Sequence, residues 1–117
     1  MINKEAIKII EGNPITIATA DKEGKPRATN VAYVKVRDNK LLITNNYMNQ
    51  TIQNLKQNPQ ISIAVFNDKW KGYQIEGTAK YSESGPFYDF VKSMKENENE
   101  PCKGVIIVEV KTIKETG

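Results

Sequence analysis

The sequence predicts a mainly β fold, an antiparallel barrel of six strands that carries three short helices. Three observations indicate this fold. Apolar and polar residues alternate in most segments, as they do in half-buried strands. Mostly short polar turns separate these segments, which favours antiparallel neighbours over a parallel sheet. The chain has 117 residues, which fits one domain, 1–117, and leaves no room for a second core.

The first half of the chain is predicted to be one helix followed by three strands. Ile2, Ala6 and Ile9 fall at helical spacing, and the Gly-Asn-Pro segment at 12–14 ends the helix. Alternation then predicts three strands: one from Ile15, one over Arg27–Arg37 and one over Leu41–Asn45. A tight turn at 38–40 makes the last two of them a hairpin.

The second half is predicted to hold two helices and three strands. A helix lies over 46–58, where Ile52 and Leu55 share one face, and Pro59 forces its end. Another helix opens near Pro86. The segment 95–100 is predicted to be a polar linker without an apolar anchor. The strands are predicted over Ile61–Val65, Tyr73–Tyr81 and Gly104–Lys114.

Composition excludes several classes of function. The chain has no His, which removes the commonest general base and metal ligand, so a Ser/His/Asp triad is impossible and no metal site is predicted. The net charge of +3 comes from basic residues interleaved with acids, which predicts a solvated surface and no nucleic-acid partner. The reactive centre is therefore more plausibly a bound cofactor than the chain's own side chains.

The chain is predicted to be cytoplasmic. No apolar run approaches the ~20 residues that cross a membrane, and charged residues interrupt the first apolar positions, unlike a signal peptide. The single cysteine, Cys102, cannot form a disulfide within the chain, which suits a reducing compartment. No base lies near it in the sequence, and we interpret it as inert.

The most informative segment runs from the strand Leu41–Asn45 into the helix that follows. The strand ends in small polar residues, and the first turn of the helix presents free backbone N–H groups with the side chains of Asn49, Gln50 and Thr51. Such a helix start can hold a phosphate through these donors and the helix dipole. On spacing alone, Asn and Thr here more often simply cap the helix.

The flanking segments sharpen the interpretation. In chain order, the segments 14–20 (PITIATA), 24–32 (GKPRATNVA), 41–59, 58–64 (NPQISIA) and 73–79 (YQIEGTA) resemble the pyridoxamine 5′-phosphate oxidase-like, FMN-binding split-barrel family. The resemblance is closest to its small single-domain members and covers nearly the whole chain. It implies a split barrel that binds FMN, and a homodimer in which each flavin lies between two subunits.

The resemblance also implies which residues bind the cofactor. They are a basic residue at the start of the second strand, the backbone that lines the ring, the end of the third strand along the ribityl chain, and the turn that holds the phosphate: Arg27; Thr29, Asn30 and Val31; Thr44 and Asn45; Met48, Asn49, Gln50 and Thr51. The family often has Lys or Arg in that last turn. Neutral amides at Asn49 and Gln50 lose the charge-assisted strengthening that a phosphate would receive, so Arg27, with Lys56 as a second candidate, would have to supply the positive charge.

Two functions stay open at this point. One is an FMN-dependent oxidoreductase or electron-transfer protein acting on a small substrate. It is not expected to be a true pyridoxamine 5′-phosphate oxidase, because those relatives carry a C-terminal basic–His pair and this sequence has no His. No catalytic residue is assigned. The alternative is a non-enzymatic split barrel that has lost FMN, or that binds haem or a deazaflavin.

One side chain of the predicted site also calls for a partner. Asn30 shares a face of its predicted strand with Ala28, Val34 and Val36, where a polar group needs a hydrogen bond. Contact with a ligand would satisfy it, and so would a buried bond to the backbone.

Overall fold

The structure, a computed structural model, describes residues 2–116. It confirms a mainly β fold with three helices. Met1 and Gly117, the end residues of the predicted domain, lie outside the described residues. The elements in chain order are α1 (Lys4–Gly12), β1 (Ile15–Ala20), β2 (Pro26–Val31), β3 (Lys35–Arg37), β4 (Lys40–Asn45), α2 (Gln50–Gln57), β5 (Gln60–Phe66), β6 (Gly72–Ser82), α3 (Pro86–Lys92), a 3₁₀ helix (Lys95–Asn97) and β7 (Gly104–Thr116).

The strands form one antiparallel sheet in the order β2-β1-β5-β6-β7-β4-β3. Its two edges, β2 and β3, are neighbours in sequence, joined only by residues 32–34. Because four residue steps span at most about 14 Å, the two edges must lie close together. The sheet therefore curls into a barrel that stays open between β2 and β3, as a split barrel does.

The prediction of a single strand over Arg27–Arg37 is wrong, and the count is seven strands instead of six. Alternation continues through this stretch, but its two halves pair with different neighbours: Val31 lies opposite Ile15 of β1, whereas Lys35 lies opposite Leu42 of β4. A segment that pairs first with one strand and then with another at the opening of the barrel must break its ladder of hydrogen bonds between the two pairings. Local alternation carries no information about that change.

One main core fills the barrel and extends under α1 and α2. Its members include Ile17, Ile43, Ile63, Ile75 and Ile106, all at most 1% exposed. A second, smaller core lies on the outer side of β4 and β7, under α3. The apolar run 105–108 of β7 therefore has one face in each core, as its lack of alternation indicates.

The polar segment after α3 is more ordered than its composition suggests. Lys95–Asn97 forms the 3₁₀ helix, and Asn97 is buried. Cys102 is buried in the small core against α3, and this burial raises the pKa of its thiol. The segment 95–100 differs from the predicted linker in forming this 3₁₀ helix, which is anchored by the polar Asn97 and not by an apolar side chain. Across residues 2–116, no helix is both long enough and apolar enough to cross a membrane.

Candidate cofactor site

A cavity of about 580 Å³ lies between β2, the turn from β4 to α2, and the segment that follows α3. This volume is within the range of small-molecule sites. Its walls come from three separate parts of the chain: Arg27 and Thr29–Tyr33; Thr44 and Asn46–Thr51; Glu96, Asn97 and Glu100.

Nine of the ten residues assigned to the cofactor from the sequence line this cavity, and Asn45 does not. Asn45 is only 3% exposed, and its side chain bonds within the protein. Its Nδ2 donates to the hydroxyl of Tyr81 at 2.9 Å, and its Oδ1 accepts the N–H of Met48 at 2.8 Å. Its side chain thus fixes the turn into α2 and leaves contact with a ligand to its neighbours.

The start of α2 offers unpaired backbone donors to the cavity. The first bond of the helix runs from Gln53 N–H to the carbonyl of Asn49, and the Asn49 side chain makes no capping bond. Within residues 2–116, the N–H groups of Gln50 and Thr51 have no acceptor. The capping explanation for these residues therefore does not describe the structure. Free N–H groups at the positive end of the dipole suit an anion.

Some side chains at this turn are already hydrogen-bonded to residues one helical turn further along α2. Gln50 Nε2 donates to Asn54 Oδ1 at 3.0 Å, and Asn49 Oδ1 accepts from Gln53 Nε2 at 3.3 Å. Asn54 in turn donates to Thr19 Oγ1 at 3.1 Å, which ties α2 to β1. The Nδ2 group of Asn49 forms no hydrogen bond within residues 2–116 and is a free side-chain donor of the turn.

Arg27 supplies the positive charge. It lies on β2 opposite Thr19, it is exposed, and it lines the cavity. It takes part in none of the ion pairs formed among residues 2–116. Lys56, the other cation considered for this role, lies over the ring of Tyr81, 6.0 Å from its centre, and does not line the cavity.

The strand β2 is an edge strand, paired with β1 alone. Alternate N–H and C=O groups of an edge strand point away from the sheet and are free for a ligand. Thr29 and Val31 are half-buried beside the cavity, and Asn30 is exposed. A flat ring lying along this edge would meet backbone donors and acceptors.

The predicted apolar environment of Asn30 is wrong. Its neighbour on the same face, Ala28, is exposed, and β2 ends before Val34 is reached. The partner of Asn30 is a side chain, since its Oδ1 accepts from Thr16 Oγ1 at 2.9 Å. The amide group of Asn30 remains available beside the cavity.

Sequence reasoning missed seven cavity residues, three of which lie on the segment after α3. Glu96, Asn97 and Glu100 come from about 50 positions away in the chain, and no local pattern marks them. The Tyr47 hydroxyl donates to Glu100, and this bond to a carboxylate raises the pKa of the phenol. Among residues 2–116, no group of three or more His, Cys, Asp or Glu could hold a metal ion.

The family of this chain follows from its similarity to known proteins. The family model described as pyridoxamine 5′-phosphate oxidase matches residues 3–117. The chain belongs to this family. Its members share the barrel but not one activity, so family membership fixes the fold and leaves the chemistry to the site.

Solved structures of the same fold bear different names. HupZ of Group A Streptococcus is 27% identical, with a TM-score of 0.88 over 98% of this chain and 94% of that one. An FMN-binding protein of Syntrophomonas wolfei is 14% identical, with a TM-score of 0.80 over 97% and 85% of the two chains. HutZ of Vibrio cholerae, a haem storage protein, is 14% identical, with a TM-score of 0.74 over 95% and 89%.

Proposed function

We propose that this chain binds FMN in the cavity beside β2 and acts as a flavin-dependent oxidoreductase or electron-transfer protein on a small molecule. One observation carries the proposal. A single cavity brings together unpaired N–H groups at the start of α2, the unpaired guanidinium of Arg27 and the free edge of β2. Fold similarity to a protein named as FMN-binding supports the choice of cofactor.

The parts of the cavity correspond to the parts of FMN. An anionic phosphate suits the N–H groups of Gln50 and Thr51 with Arg27 nearby. A polyol chain suits Thr44, and a flat ring suits the backbone edge along Thr29–Val31. When bound, the flavin supplies hydride or electron transfer, and the protein's part is to hold and orient it.

Haem lacks its commonest iron ligand in this chain, and Met48, Tyr33 and Tyr47 are the cavity residues that could take its place. The chain has no His, so histidine cannot ligate the iron. Its one cysteine, Cys102, is buried against α3 and does not line the cavity. A deazaflavin, or no cofactor at all, is the alternative that a titration must separate from FMN.

The proposal includes a homodimer in the cytoplasm. Tyr33 and Tyr47 line the cavity and are 55% and 72% exposed, so a second copy would cover aromatic surface that a monomer leaves in water. The single cysteine suits a reducing compartment. Light scattering at micromolar concentration tests the assembly: a dimer mass is expected, and a monomer mass would contradict this part.

FMN titration of Arg27→Ala tests the cofactor assignment. We expect the natural protein to bind FMN, and Arg27→Ala to weaken binding about 10- to 100-fold, because a charge-assisted hydrogen bond contributes about 1.5–3 kcal/mol. The control is Lys111→Ala, which removes one positive charge from an exposed residue of β7 that does not line the cavity. Equal losses in the two variants would contradict a role for Arg27.

A spectrum of the purified protein separates the alternatives. Absorbance maxima of an oxidised flavin support the proposal. Haem absorbance, or a protein that neither carries nor takes up FMN, would favour the non-flavin alternative.

A further inference from the structure

Asn97 carries a buried side-chain amide, although residues 95–96 and 98–101 on either side of it are exposed. It is 8% exposed, it ends the 3₁₀ helix after α3, and it lines the cavity beside Thr44 of β4. A polar side chain kept this far from water needs all its hydrogen bonds. Its hydrogen bonds therefore determine whether the neighbouring polar groups donate or accept.

The orientation of the Asn97 amide follows from its partners. Its Nδ2 lies 2.7 Å from the carbonyl oxygen of Val91, which can only accept, so this atom must be the nitrogen. Its Oδ1 faces the Nδ2 of Asn46 at 3.4 Å. The alternative flip would place two oxygens against each other at Val91, which excludes it.

This orientation fixes the role of the Thr44 hydroxyl. Asn97 Nδ2 also lies 2.9 Å from Thr44 Oγ1. An amide NH₂ group can only donate, so the oxygen of Thr44 accepts here and its own hydrogen is free to donate. No residue within 2–116 accepts that hydrogen. Because Thr44 lines the cavity, its free donor is available to a ligand there.

We infer that Asn97 is a positioning residue: it occupies the Thr44 oxygen as a donor and so presents the Thr44 hydroxyl hydrogen to an oxygen acceptor of the bound ligand. The inference rests on the proposed binding of FMN, whose polyol and phosphate oxygens are acceptors. It assigns a role in binding to the segment after α3, which lies far from β4 in sequence.

Asn97→Asp reverses the hydrogen bond to Thr44 at nearly constant size, and because it also sets a carboxylate oxygen against the carbonyl of Val91, its melting temperature is measured alongside its FMN affinity. A carboxylate only accepts, so the Thr44 hydroxyl would donate to it and turn away from the cavity. We expect FMN affinity to fall about 3- to 10-fold, the range for one neutral hydrogen bond. Thr44→Val should cause a similar fall, and Thr44→Ser, which keeps the hydroxyl, should stay within about twofold of the natural protein.

The control for added charge is Asn99→Asp. Asn99 lies on the same segment and is exposed with φ at 69°, a conformation that Asp tolerates as Asn does. It does not line the cavity. We expect its FMN affinity to match that of the natural protein, whereas a loss equal to that of Asn97→Asp would assign the effect to charge alone and overturn the inference.

A double-mutant cycle gives the decisive readout. In the Thr44→Val background, Asn97→Asp should cause a clearly smaller loss of FMN affinity than in the natural protein, because the hydroxyl that it redirects is absent and only repulsion between the carboxylate and the phosphate of FMN remains. If thermal melting shows that Asn97→Asp is unfolded, Asn97→Ala replaces it in the cycle. The loss of FMN affinity that Asn97→Ala causes must then disappear in the Thr44→Val background. If the losses of the two single variants simply multiply in the double variant, this inference is overturned while the proposed function stands. An Asn97 variant that binds FMN normally would have the same consequence. A natural protein that binds no FMN would overturn the proposed function as well.

Discussion

Two polar regions of this molecule differ in whether their groups are paired. In the charge cluster of Glu5, Lys71 and Glu115, Lys71 Nζ lies 2.7 Å from Glu5 and 3.2 Å from Glu115. In the cavity, the guanidinium of Arg27 and the N–H groups at the start of α2 have no protein partner within residues 2–116. Exposed ion pairs of this kind add only a little to the stability of the fold, whereas unpaired donors gathered in a cavity are available to a ligand.

Of the three changes that test this comparison, adding charge to the unpaired region has the largest expected effect. Gln50→Lys places an ammonium group in the turn where other family members often carry one. We expect FMN affinity to rise about tenfold, because a lysine adds a charge-assisted bond to phosphate at a position where the Gln50 side chain bonds to Asn54 instead. The measurement is a titration followed by flavin fluorescence, repeated at higher salt, where the gain should shrink.

The matched control for this gain is Gln60→Lys, the same change at an exposed position of β5 outside the cavity. Its FMN affinity should stay near that of the natural protein. A comparable gain in both variants would mean that net charge, and not the start of α2, attracts the ligand.

A smaller effect follows from breaking the paired region. Lys71→Met removes both ion pairs that join α1, the β5–β6 turn and the end of β7. We expect a lower melting temperature with FMN affinity unchanged, because this cluster does not line the cavity. Lys69→Met, an exposed neighbour outside these ion pairs, should leave the melting temperature unchanged. A loss of FMN affinity in Lys71→Met would contradict the division between the two regions.

The smallest effect is a pH dependence of the same cluster. The hydrogen bond from Lys71 lowers the pKa of Glu5 below its ordinary value. A carboxyl whose pKa is depressed by folding stabilises the fold above its ordinary pKa of about 4.3 and loses that contribution as the pH falls through the folded pKa. Glu5→Gln should therefore melt slightly lower at pH 7 and match the natural protein in strong acid.

Melting curves across pH 2–7 measure this difference. Glu83→Gln, an exposed glutamate that forms no ion pair within residues 2–116, serves as the control and should show no gap at any pH. A gap between Glu5→Gln and the natural protein that persists in strong acid would contradict the role of the ion pair.

Local sequence patterns predicted most elements of the fold, because helix and strand periods report which face of a segment is buried. They could not show that the stretch 27–37 changes partners at the opening of the barrel, since both halves keep the same alternation. Pairing across the chain is a property of the whole sheet. For that reason the predicted count of strands was one short.

The same limit applies to the site. The local pattern of a strand, small polar residues and a helix, together with the family resemblance, predicted the residues near the start of α2 that line the cavity. Asn97 and Glu100 reach the cavity only through the packing of α3, which carries no local signal. Asn45 sits where the pattern places a ligand contact, but its side chain is used by Met48 and Tyr81 instead.

The central claim is that the free N–H groups of Gln50 and Thr51 bind the phosphate of FMN. Backbone amide resonances of a ¹⁵N-labelled sample, recorded during titration with FMN, test it most directly. We expect the Gln50 and Thr51 signals to move in step with binding, with inorganic phosphate causing a smaller movement of the same signals. Saturation with FMN that leaves both amides unmoved would contradict it.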